Sequence, residues 1–101
     1  MKNVTLEQAH EVISTLADLA SAIANAKTLT SRREICARVQ RIRYAAEEWE
    51  DGEKRYHVLT DGSMMRAALS TDDRAEALKR HEELFKLGCK DVQVWDELLQ
   101  E

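Results

Sequence analysis

At Glu53 the hydrophobic pattern of this chain changes period, and the change limits what the chain can fold into. Before it, apolar residues recur every three or four positions, as on one face of a helix. After it they alternate over short runs, as in half-buried strands. The first half is therefore expected to be helical and the second to contain a sheet. No proline occurs, and the three glycines, at 52, 62 and 88, fall between the periodic runs. A length of 101 residues gives room for one hydrophobic core, so the expectation is a single domain over 1–101.

Taken in order, Thr5 and Gln8 form a capping-box start for a helix over 5–26. Leu6, Ala9, Ile13, Leu16, Ala20 and Ile23 make its stripe, widened by Val12 and Leu19. After a short polar connection, Ser31 and Glu34 repeat the capping pattern and start a helix over 31–51, which Gly52 stops. So short a link favours an antiparallel hairpin. The second helix carries a narrow seam, Ile35, Val39, Ile42, Ala46 and Trp49, stepping by four and three.

Residues 54–60 read as a strand, Asp61-Gly62 as a two-residue hairpin turn and 63–70 as the returning strand. That turn predicts Val58 opposite Met65, Tyr56 opposite Ala67 and Lys54 opposite Leu69, all on the covered side. Arg55, His57 and Leu59 then face Ala68, Arg66 and Met64 on the other side. A third helix over 72–87 should bury Ala77, Leu78, His81, Leu84 and Phe85, with a last strand over 91–96. Leu98 and Leu99 are apolar enough that the tail should pack. The fold class is α+β: an N-terminal antiparallel helical hairpin, then a β-β-α-β unit whose three-stranded antiparallel sheet has the order 2-1-3.

Charge is segregated within the second helical run. Residues 32–43 carry Arg32, Arg33, Arg38, Arg41 and Arg43 against Glu34, a net +4, whereas 44–53 carry Glu47, Glu48, Glu50, Asp51 and Glu53 and no base. This order opposes the helix dipole. The arrangement predicts that the charges answer to a partner, foreign or a second copy. Two such helices laid antiparallel would match basic half to acidic half and bury the seam between them, so a homodimer is expected.

No catalytic or phosphate-binding motif and no metal-ligand spacing is present, so neither enzymatic activity, nor a cofactor, nor a metal is expected. His10, His57 and His81 fall on three separate elements. Cys36 and Cys89 are far apart and read as reduced thiols of a cytoplasmic protein. No signal pattern follows Met1, and no apolar run approaches the roughly 20 residues of a membrane span. A formal net charge of −4 disfavours nonspecific contact with nucleic acid or anionic membrane. Two local footholds for nucleic acid stand against that total. One is the arginine cluster; the other is the mixed sheet face with Arg55, His57, Arg66 and Trp95.

In its size, its acidity and its β-β-α-β half, the chain resembles the short accessory proteins encoded by phages and other mobile elements, among them some anti-CRISPR inhibitors. The resemblance implies a protein that occupies a surface of a host nucleoprotein complex, in some cases by acidic mimicry of DNA. The functional expectation is a non-enzymatic protein-binding inhibitor or modulator, with nucleic-acid binding as the alternative.

Overall fold

The computed structural model describes residues 1–60 and 67–101. Two helices, α1 (Leu6–Asn25) and α2 (Leu29–Glu47), precede β1 (Tyr56–Thr60), β2 (Ala67–Thr71), α3 (Arg74–Lys86) and β3 (Val92–Asp96). The architecture is α+β, with an antiparallel sheet ordered β2-β1-β3. The chain forms two compact units: Met1–Asp51 with Leu98–Gln100, and Gly52–Glu97 with Glu101.

In the helical unit, the capping box of α1 forms as its sequence requires. Thr5 Oγ1 accepts from the Gln8 amide at 3.1 Å, and Gln8 Oε1 accepts from the Thr5 amide at 2.9 Å. Helix α2 starts earlier than its Ser31–Glu34 pattern predicts. Its cap is Thr28, whose Oγ1 accepts from the Ser31 amide at 3.1 Å. It also ends earlier, at Glu47, and the predicted stop at Gly52 is a turn glycine with φ +88° instead. Dipole repulsion accounts for the early end, since extending the helix would add Glu48, Glu50 and Asp51 to its negative terminus.

The seam of α2 is spent inside this unit. Ile42, Ala46 and Trp49 are buried with Val12 and Leu19 of α1 and with Leu98 and Leu99, and Ile35 and Val39 pack at the margin. Leu98 and Leu99 thus pack as expected, and the Arg38 guanidinium donates to the Leu99 carbonyl at 3.3 Å. The buried side of α1 centres on Leu16 of the predicted stripe and on Val12 and Leu19, which widen it, and the other edge, with Leu6 and Ile13, is exposed.

In the sheet unit, Tyr56, Val58, Ala77 and Leu84 form the core, with Leu69, Val92, Val94 and Cys89 against it. Of the predicted α3 stripe, Ala77 and Leu84 are buried and His81 is half-buried with Nε2 3.0 Å from the Val92 carbonyl oxygen, but Leu78 and Phe85 are exposed. Gly88 ends α3 in a paired-amide stop: its own amide donates to Phe85 and the Cys89 amide to Leu84, at φ +94°.

The β1–β2 register differs from the predicted one. Val58 faces Leu69 and Tyr56 faces Thr71, and an irregularity after Val58 brings Ala67 opposite Leu59. The displacement at Val58 is an even number of residues, so Tyr56, Val58 and Leu69 keep one side. Ala67 crosses to the other, where it lines a cavity with Leu59. The Asp61-Gly62 turn and the positions of Met64, Met65 and Arg66 lie outside the described residues.

Because Leu98 has no exposed surface, Leu98→Ala should destabilise the helical unit by about 2–5 kcal/mol. Urea unfolding followed by Trp49 fluorescence in a Trp95→Phe background measures this.

Candidate functional site

The residues singled out by charge do not form one surface. Within its observed bounds α2 holds five arginines against Glu34 and Glu47, a net +3, so it is a basic helix rather than a bipolar one. Glu48 is its C-cap, and Glu50, Asp51 and Glu53 follow it in the exposed connection to β1. The acidic half of the predicted helix is thus mostly not helical.

The arginines separate by what they touch. Arg38 is half-buried and tied to the Leu99 carbonyl. Arg32, Arg33, Arg41 and Arg43 are exposed, and among the described residues none of the four makes a hydrogen bond or ion pair. Arg33, Ala37, Arg41 and Tyr44 step by four, four and three, which sets them in one row turned away from buried Ile42 and Ala46. Tyr44 is 71% exposed. An aromatic ring left in water on the outer face of a basic helix is what the sequence reading missed. The signal was its position off the seam, a tyrosine where solvation favours a charged side chain.

With the seam covered by α1 and Leu98–Leu99, two copies paired along α2 would have to rely on Tyr44, Leu29 and surface charges. Exposed pairs are individually weak, about 0.2–1 kcal/mol each.

The sheet face proposed for nucleic acid is reorganised more severely. Arg55 is 6% exposed and does not point into solvent. Its Nε donates to Asp96 at 3.1 and 3.2 Å, and one terminal nitrogen donates to Oδ2 at 2.9 Å, a forked ion pair. Its guanidinium carbon lies 5.0 Å from the centre of the Tyr56 ring, its amide donates to Asp72 Oδ1, and its carbonyl accepts from the Glu97 amide. Arg55 is therefore a structural tie between the start of β1 and the end of β3. The sequence did not betray Asp96 as its partner, because the β1–β3 register had no local marker.

His57 and Trp95 do share a side of the sheet, directly opposite each other across β1 and β3. His57 Nδ1 and Ser70 Oγ share a hydrogen bond of 2.8 Å, and Trp95 Nε1 donates to Glu97 Oε2 at 2.9 Å. Together with Leu59 and Ala67 they line a cavity of about 110 Å³. Arg66, the other predicted base of this face, lies outside the described residues. Among the described residues no three His, Cys, Asp or Glu side chains converge as metal ligands, and both cysteines are free thiols. No described helix is long and apolar enough to cross a membrane.

Comparison of the chain with protein-family models, with curated proteins and with solved structures finds no match. The reading of function therefore stands on the surface alone.

The structural reading of Arg55 predicts that Arg55→Ala, by stranding a buried carboxylate, costs about 3–5 kcal/mol of stability in denaturant unfolding. The paired change Arg55→Met with Asp96→Leu should recover most of it. A nucleic-acid contact would instead lose affinity with stability unchanged.

Proposed function

We propose that this protein is a non-enzymatic binding module that inhibits or modulates a larger nucleoprotein partner, docking through the outward face of α2. The observation that carries the reading is the row Arg33, Arg41 and Tyr44, exposed and, among the described residues, without partners for its cations. Arginine and tyrosine are the residues that most often carry binding energy at protein interfaces, since each offers large contact area with a directed polar end. The sign pattern favours protein over phosphate. Glu47, Glu48, Glu50 and Asp51, exposed at and just past the end of α2, would repel a nucleic-acid backbone but can match a protein of complementary pattern.

Capture from host lysate, with and without nuclease and followed by mass spectrometry, identifies the partner. The substitution Arg33→Glu, Arg41→Glu, Tyr44→Ala tests the surface. Losing even one interface anchor costs about 2 kcal/mol, so the triple variant should bind at least about thirtyfold more weakly while keeping its helical circular dichroism. Undiminished capture by the triple variant contradicts the reading.

Direct nucleic-acid binding is the second reading, favoured by four arginines, unpaired among the described residues, on the same helix as an exposed aromatic ring. Four phosphate contacts on duplex DNA would give a slope of about −3.6 in log affinity against log salt. An absence of binding to DNA and RNA at low salt removes this alternative.

A further inference from the structure

A second exposed side of the helical unit is not used by the row of Arg33, Arg41 and Tyr44. A cavity of about 110 Å³ lies between the start of α1 and the end of α2, walled by Val12, Leu16 and Met1 on one side and by Ala46, Arg43 and Glu47 on the other. Helical spacing extends both walls. On α1, Ile13 and Ala20 are the neighbours of Leu16 one turn before and after it, and Leu6 lies two turns before Ile13. On α2, the line from Arg43 runs back through Cys36 to Arg32. These residues are exposed, Leu6 by 75% and Ile13 by 55%. The side chains of one wall are thus apolar. The other wall presents Glu47 at its end and two arginines that make no hydrogen bond or ion pair among the described residues, so its net charge is positive.

The geometry points to a docking groove for an acidic amphipathic helix. Its apolar face lies along Leu6 and Ile13, one side chain enters the cavity, and its carboxylates meet Arg32 and Arg43. The inference rests on the reading of the chain as a binding module and names the chemistry of its partner. Charge complementarity selects this occupant. A second copy paired groove to groove would bring only Glu47 as an acid, and a bilayer surface, being flat, does not enter a cavity between two helices. The arginines are eleven residues apart on one helix, about 16 Å along the axis, so the partner's acids should sit about three turns apart.

The probe is a fluorescein-labelled helical peptide with leucine at heptad a and d positions and glutamate flanking them. Its control carries lysine in place of every glutamate. Fluorescence anisotropy should show the acidic peptide binding at least tenfold more tightly than the lysine peptide. Arg32→Glu with Arg43→Glu, both at exposed positions, should reverse that preference, and Ile13→Ser should weaken binding of the preferred peptide. Circular dichroism checks that each variant remains folded. The triple variant at Arg33, Arg41 and Tyr44 should bind the peptide as the wild type does, which separates failure of this groove from failure of the outward face. The inference is overturned by equal affinity for the two peptides, by no acidic-peptide binding up to roughly millimolar concentration, or by a preference that survives the double reversal. Sedimentation with phosphatidylserine vesicles that the reversal abolishes, without peptide binding, assigns the groove to lipid and also overturns it.

Discussion

Helix α2 must bury one side and hydrate the other, and most of what this protein offers to a partner follows from how it divides them. Ile42 and Ala46 go inward with Val12 and Leu19, and Trp49, just past the helix, joins them. Arginine can follow them only where its guanidinium finds an acceptor, because burying an unpaired cation is expensive. Arg38, at the border, meets that condition through the Leu99 carbonyl. The other four arginines stay in water. The burial of Leu98 and Leu99 removes the seam from the surface and leaves charge and Tyr44 as what α2 displays.

The sheet unit pairs some of its cations and not others: among the described residues Arg74, Lys79 and Lys90 make no hydrogen bond or ion pair either. Arg55 is neutralised by Asp96 in the interior, Lys54 lies 3.5 Å from Asp72, Arg80 pairs with Glu83 and Lys86 with Glu82. Such exposed pairs contribute little to stability, but they do quench local field. On α2 none of Arg32, Arg33, Arg41 and Arg43 forms an ion pair among the described residues. An uncompensated row of cations on a protein whose overall charge is −4 is a local feature that composition conceals.

The elements, their order and the sheet topology were legible, because each rests on a strong local signal: Thr5 with Gln8, the alternation around Val58, the glycine at 88. What was not legible depends on competition between distant residues. Helix α2 ends at Glu47, short of the stop that Gly52 offers, because a cluster of acids gathers at its negative terminus. The strand register was misplaced because a turn signal at Asp61-Gly62 was given priority over keeping Leu69 beside Val58. Arg55 looked like a surface base because a buried ion pair leaves no mark in sequence unless the partner strand's register is known. Of the candidate surface, the arginines stood out by charge, whereas Tyr44 was marked only by its position off the seam, a weaker signal.

Arginine footprinting tests most directly the claim that the outward face of α2 is the working surface. Phenylglyoxal modification, mapped by mass spectrometry, reports each guanidinium's access in the free protein and in the complex captured with its partner. Modification should be fast at Arg32, Arg33, Arg41 and Arg43 in the free protein and slow at Arg38 and Arg55. In the complex Arg33 and Arg41 should become protected. If both stay as reactive in the complex as in the free chain, the partner binds elsewhere and the account is wrong.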